Sequence, residues 1–200
     1  MSWQYHINHV HGKLSSGNYA ISQAKNFLPL NIRKTLYNSL FKPHMDFGII
    51  AWGGISSAKL KKVTTLQKKC VRNIAGKGYR SHTDPLFSSL NIIKFEDLRI
   101  LNSCNFMHKF INEKVPRSFK NTFTLLPTTN RTNSFQVEKV KNSFLHQFPT
   151  YFLPNLWNSN LLDLKLIESH SVFKKSLKEI LISNYSDHVR CYSPTCPDCR

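Results

Sequence analysis

The stretch Ser56–Ala75, SSAKLKKVTTLQKKCVRNIA, decides the fold class of this 200-residue chain. Leu60, Val63, Cys70 and Ile74 recur at helical spacing, with Leu66 and Val71 flanking them, which predicts one apolar helix face turned to a core. Ser56 or Ser57 can cap the helix, and Gly76 can end it. On the opposite face Lys61, Lys68 and Arg72 fall at i, i+7 and i+11, with Lys62 and Lys69 beside them. A solvated helix face normally interleaves acids with its bases, so that i,i+4 pairs offset like-charge repulsion. This stretch contains no acid, and the reading favoured is a surface that faces phosphates. Gly76-Lys77-Gly78-Tyr79-Arg80 lacks the spacing of a phosphate-cradling glycine loop and reads as a basic turn.

Upstream, Trp3, Ile7, Val10, Leu14, Gly17, Ile21, Ala24 and Leu28 alternate steps of four and three, a single helix stripe stopped by Pro29. Gly17 lies on that stripe, where a missing side chain lets another helix come close. A second helix is expected from an Asn31 cap to Phe41, with Ile32, Leu36 and Leu40 inward and Pro43 as its breaker. Met45 to Trp52 continues as a short apolar segment up to Gly53-Gly54. Downstream, Asp84-Pro85 opens a short helix to Leu90, and Phe95 to Ile111 a longer one with Ile100, Cys104, Met107 and Ile111 in register. Glu96 and Asp97 suit its first turn, and Lys109 its last. Residues 113–134 read as a loop and Phe135 to Val140 as a weak strand. Phe148 to Trp157 is expected to be helical around Pro154, and Ser169 to Ile182 forms a last helix with Phe173, Leu177 and Ile180 inward.

The charge is uneven. Residues 1–82 hold 13 Lys and Arg against one acid, Asp46, while the whole chain carries +17. Such a surface repels itself unless a polyanion offsets it, and nucleic acid is the commonest polyanion. Hydrophobic residues make up 40% of the chain and include 14 Phe, enough for a packed core. The longest apolar run, Phe47 to Trp52, is far shorter than the ~20 residues of a membrane helix, and Met1 to His6 shows no signal pattern. The expectation is an intracellular protein, nuclear or cytoplasmic, without a membrane partner.

The motifs of common catalytic sites are absent. There is no Gly-x-Ser-x-Gly, no His-Glu-x-x-His and no phosphate-loop signature. Glu96-Asp97 is the lone adjacent acid pair and suits a helix start, so a two-metal site has no visible ligands. His6, His9 and His11 cluster without a nearby carboxylate. Cys70 and Cys104 sit in apolar-periodic segments and read as core residues. The tail differs, because His188-x2-Cys191-x4-Cys196-x2-Cys199 offers three thiolates and an imidazole within twelve residues, a donor set suited to tetrahedral zinc.

A further set of motifs runs in order along the chain. Trp3-x2-His6-Ile7 is followed by Leu36-Tyr37-x2-Leu40-x2-Pro43, Phe47-Gly48-x3-Trp52-Gly53 and Leu66-Gln67-Lys68-Lys69-x2-Arg72. Pro85-Leu86-Phe87, Phe106-Met107-x-Lys109, Val115-Pro116, Arg131-Thr132 and Trp157-Asn158 come after. Over roughly residues 3–182 this order resembles the segment that follows the palm in reverse transcriptases of non-LTR retrotransposons (LINE elements, jockey-like). The resemblance implies a helical thumb and the region after it, with the catalytic Asp residues upstream in fingers and palm. A piece of this kind would not polymerise alone. It would grip RNA or an RNA–DNA template–primer duplex by its backbone, through Lys61, Lys62, Lys68, Lys69, Arg72, Lys77 and Arg80. The expected fold is mainly α, with a three-helix thumb-like bundle over 1–78, a smaller helical region over 79–182 and an irregular Cys-rich tail over 183–200. The tail would hold zinc through His188, Cys191, Cys196 and Cys199. The alternatives are a standalone or domesticated zinc-binding interaction protein, and a decayed element without function.

Overall fold

A computed structural model describes residues 3–126, 133–137, 139–140, 142, 144–159 and 164–185. The protein is mainly helical, with no strand among the described residues. Two compact units partition it. The first takes described residues within 1–47, 56–97 and 180–200, and the second takes Gly48–Ile55 and Leu98–Glu179.

In the first unit, α1 (Gln4–Ala24) packs along α5 (Ser57–Ala75). Ile7, Val10, Leu14, Gly17 and Ile21 are buried on α1, as are Leu60, Val63, Cys70, Val71 and Ile74 on α5. Asn73 Nδ2 donates to Asn18 Oδ1 at 2.9 Å, and Arg33 Nη1 to the Asn73 carbonyl at 3.2 Å. Gly17 is required by packing, since a Cβ there would lie 2.9 Å from the Leu40 carbonyl oxygen. Leu66 is only half-buried, and Gln67 is fully buried in the middle of the α5 stripe. The core is thus centred one residue further along α5 than the apolar residues alone suggest.

The second helix departs from expectation. It begins at Leu30, with extended Pro29 at the cap position, and runs as α2 (Leu30–Leu36), a π segment (Tyr37–Phe41) and α3 (Lys42–Asp46). Pro43 does not end it. The Lys42 N–H reaches back five residues to the Tyr37 carbonyl, and the wider π turn lets Pro43 enter as one of the first residues of α3, where its missing N–H costs no helical bond. The inward residues are Tyr37, Phe41 and Met45, whereas Ile32 and Leu40 are exposed and Leu36 half-buried. The Tyr37 and Phe41 rings stack at 5.3 Å, and these larger side chains take the core positions. The chain then turns at Gly48, whose φ of 62° is left-handed.

Two short helices lead on. α4 (Ile49–Trp52) belongs to the second unit, and α6 (Asp84–Ser89) to the first. α7 (Phe95–Ile111) gives its first three residues to the first unit and the rest to the second. In the second unit Trp52, Leu98, Leu101, Cys104, Met107, Leu153, Trp157, Phe173 and Leu177 are buried, supplied also by α8 (Pro149–Ser159) and α9 (His170–Ser183). Ile180 of α9, expected inward, is exposed. α8 carries buried Pro154 inside it.

The expected strand at Phe135 is a single antiparallel bridge between Leu125 and Phe135. The backbone N–H and carbonyl of Phe135 itself point away from Leu125, and the Asn158 amide takes both on that other edge. Phe135 N–H donates to Asn158 Oδ1 at 3.0 Å and Asn158 Nδ2 donates to the Phe135 carbonyl at 2.8 Å, so a side chain takes the place of a partner strand. Trp157 Nε1 holds the neighbouring Asn133 carbonyl at 2.8 Å.

Candidate nucleic-acid interface

α5 positions the basic residues because its inner face is fastened at several points. Gln67 Nε2 donates to the Tyr37 hydroxyl and to the Ile93 carbonyl, both at 2.9 Å, and its Oε1 accepts from the Phe95 N–H at 2.8 Å. One buried amide therefore ties α5 to the π segment and satisfies an otherwise open donor in the first turn of α7. With that face fixed, Lys61, Lys62, Lys68 and Lys69 are exposed, as is Lys59. None of the five forms an ion pair among the described residues. Asp46, the single acid of residues 1–82, is already bound by Lys42.

The lysines are not equivalent. Lys68 borders a cavity of about 450 Å³ whose lining includes Thr64, Asp84, Lys94, Glu96, Asp97 and Tyr185, so three carboxylates temper its charge. Those acids have structural partners. Thr64 Oγ1 donates to Glu96 Oε1 at 2.7 Å, and Lys94 pairs with Asp84 at 3.0 Å. The Tyr185 hydroxyl donates to Asp97 Oδ2 at 2.6 Å and accepts from the Lys94 N–H at 3.0 Å. Burial raises the Asp97 carboxyl above its usual range against the pull of Tyr185 and Lys94. Lys61, Lys62 and Lys69 have no such neighbours on the cavity lining.

Placement along the helix matters as much as number. Lys59, Lys61 and Lys62 occupy the first turns of α5, and its first turn has no acid. Lys59, inside the first turn, opposes the helix dipole, whose N-terminal end is positive and favours anions by ~0.3–1 kcal/mol per charge. The folded chain gains nothing from this arrangement.

Arg72 does different work from the lysines. It is half-buried, burial lowers its pKa, and its Nε donates to the Ser81 carbonyl at 2.8 Å. It braces the turn that carries Lys77 and Arg80, both exposed. The expected basic set therefore divides into a helical face (Lys61, Lys62, Lys68, Lys69), a brace (Arg72) and a turn (Lys77, Arg80). Two residues of the site fall outside that set. Gln67 sits at the centre of the Leu60, Val63, Cys70 and Ile74 stripe, a spacing signal that its polar side chain masks. Tyr79, uncharged between two cations, is 83% exposed on the turn.

Other chemistry-bearing residues are occupied. Cys70 and Cys104 are buried free thiols, and burial pushes Cys104 up to about 12 and Cys70 in the same direction, which keeps both protonated. His108 Nε2 lies 2.7 Å from the Ile167 carbonyl and therefore carries the proton, leaving Nδ1 to face the Asn112 amide at 3.4 Å. Among the described residues no group of three or more His, Cys, Asp or Glu is arranged to hold a metal ion. His188, Cys191, Cys196 and Cys199 lie outside the described residues. No helix among the described residues is long and apolar enough to cross a membrane. No family model, curated protein or solved structure matches this chain.

Proposed function

We propose that this chain is a non-catalytic, thumb-like part of a non-LTR retrotransposon RNA-directed DNA polymerase, and that α5 grips template–primer duplex through its phosphates. The observation that carries this reading is the outward face of α5. Lys61, Lys62 and Lys69 are exposed, have no carboxylate partner among the described residues, and follow a first turn that lacks an acid. Anions on that face would relieve the mutual repulsion of these lysines. α5 spans about 28 Å, and Lys62 to Lys69 rises about 10 Å, so the face can follow several backbone phosphates of one strand. Contacts of this kind hold a duplex in place without reading its sequence. The resemblance assigns the chemistry to a palm upstream, which is then the protein partner.

The test is the salt dependence of binding to an RNA–DNA hybrid, followed by fluorescence anisotropy. Lys61→Ala, Lys62→Ala and Lys69→Ala combined should flatten the slope of log K against log salt by roughly 2.7, at about 0.9 per phosphate contact. Circular dichroism should be unchanged. Absence of binding by the unaltered chain at low ionic strength refutes the proposal, as does an unchanged slope in the triple variant.

A further inference from the structure

The turn at the C-terminal end of α5 has features that phosphate gripping leaves unused. Gly76 closes the helix in the left-handed region at φ 67°, and the Lys77 N–H bonds back to the Arg72 carbonyl at 3.0 Å. On the far side the Ser81 N–H donates to the Gly78 carbonyl at 3.1 Å, while the Ser81 carbonyl receives Arg72 Nε at 2.8 Å. Ser81 and Thr83 are buried. Both ends of the turn are thus pinned, and Lys77, Gly78, Tyr79 and Arg80 between them are exposed. A Cβ at Gly78 would meet nothing within 4 Å, so the tip is open on that side too.

Tyr79 is 83% exposed there and makes no ring contact or hydrogen bond among the described residues. Holding a large aromatic side chain in water on a pinned turn forgoes the energy of burying it. The flanking cations, Lys77 and Arg80, are not positions that an apolar protein partner would favour. They do suit a ligand with a flat π face and negative charge on either side, which describes a nucleotide base with its adjoining phosphates.

We propose that Tyr79 is a stacking platform for an unpaired base at the end of the duplex held by α5, with Lys77 and Arg80 holding the phosphates on either side of that base. This rests on the reading of α5 as a duplex grip, because the turn follows directly from the last turn of the same helix. The pinned backbone means that little ordering is needed when the base arrives. The platform accepts any base, since every base has a π face.

The experiment compares a blunt RNA–DNA hybrid with the same hybrid carrying a short single-stranded extension, its first unpaired base replaced by fluorescent 2-aminopurine. Unaltered protein should bind the extended hybrid more tightly and quench the 2-aminopurine. Tyr79→Ala should weaken binding to the extended hybrid by about 5- to 140-fold, from ~1–3 kcal/mol per stacked base at ~1.4 kcal/mol per tenfold, and should abolish the quench. Binding to the blunt hybrid should change less than twofold, and Tyr79→Phe should behave as the unaltered chain. Equal affinity of Tyr79→Ala and unaltered protein for the extended hybrid overturns the platform, and so does an equal loss on both substrates. Either result leaves the α5 grip standing if the salt slope still depends on Lys61, Lys62 and Lys69. Failure of the unaltered chain to bind either hybrid removes the grip and the platform together.

Discussion

Replacing Gln67 with Leu tests whether the first unit is organised as described. Gln67 is fully buried and its amide serves three groups, the Tyr37 hydroxyl, the Ile93 carbonyl and the Phe95 N–H, at 2.9, 2.9 and 2.8 Å. Leu fills a similar volume and leaves all three without that partner. Each stranded buried group costs about 1–3 kcal/mol, or about 3–9 for the set. The Leu side chain returns about 1.5–3 kcal/mol by its own burial. The balance spans about 0–7.5 kcal/mol and centres on a loss of about 4 kcal/mol, a large share of the ~5–15 kcal/mol by which domains are stable. Urea unfolding read by circular dichroism should show the midpoint falling by about 1–4 M for that central loss at m values of ~1–3 kcal/mol/M. Amide exchange at Phe95 should accelerate, since its acceptor is gone. Tyr37→Phe combined with Gln67→Leu should cost less than the two changes added, because they break a shared bond. A Gln67→Leu midpoint within about 0.3 M of the unaltered protein, well short of the shift that the central loss requires, would refute the assignment of Gln67 as the hub joining these elements.

Gly17→Ala and Gly12→Ala share the same gain in helix propensity, so their difference isolates the contact with Leu40. A Cβ at Gly12 meets nothing within 4 Å, while one at Gly17 lies 2.9 Å from the Leu40 carbonyl oxygen. Thermal melts should place Gly17→Ala about 1–3 kcal/mol below Gly12→Ala, and coincident melts would sink the close approach. The His170 pKa is lowered from 6.5 by burial first, then by Lys109, His108, Lys174 and Lys114. The unfolded chain binds that proton more readily, so this contribution to stability is complete above pH 6.5 and is lost as pH falls through the depressed folded value. His170→Gln should reduce the fall in stability seen on acidification below pH 6.5, leaving the part due to His6, which burial shifts the same way. An unaltered pH profile would count against a neutral, half-buried His170. The spacing of His188, Cys191, Cys196 and Cys199 predicts one zinc ion per purified chain, measured by atomic emission and lost in Cys196→Ser with Cys199→Ser. Retention of zinc by that double variant would refute the ligand set.

The long periodic helices were readable from the sequence because their cores are apolar side chains at regular spacing. α7 runs from Phe95 to Ile111 as expected, with Cys104 and Met107 buried, although Leu98 and Leu101 rather than the half-buried Ile100 and Ile111 complete its inner face. The α1 stripe from Ile7 to Ile21 is buried as expected. Position 67 was readable by spacing but not by residue type, since only the tertiary fold shows that its amide is fully used. The second helix was misread for a related reason. Tyr37, Phe41 and Met45 turn inward while Ile32 and Leu40 are exposed and Leu36 is half-buried, so residue type again does not show which stripe the core takes. At Phe135 the extended backbone was visible in the sequence, but alternation cannot reveal that it pairs with Leu125 on one edge and with the Asn158 side chain, 23 residues away, on the other.

The lysines of α5 present the opposite case, a feature plain in the sequence that the fold does not explain. Leu60, Val63, Gln67, Cys70, Val71 and Ile74 account for how the helix is held. Glutamate at position 59 would have served the helix better, because an acid in the first turn gains from the dipole and could pair with Lys62 three residues on. Arg72 shows what a cation with a folding role looks like here, half-buried and donating to a backbone carbonyl across the turn. Lys61, Lys62 and Lys69 do neither. Their like charges repel one another, and on the proposed reading a phosphate backbone laid along that face would turn the same charges into attraction. The sign of that exchange ties function to stability. If α5 grips a hybrid duplex as proposed, added duplex should raise the melting temperature of the protein, and an unmoved melt would count against the grip.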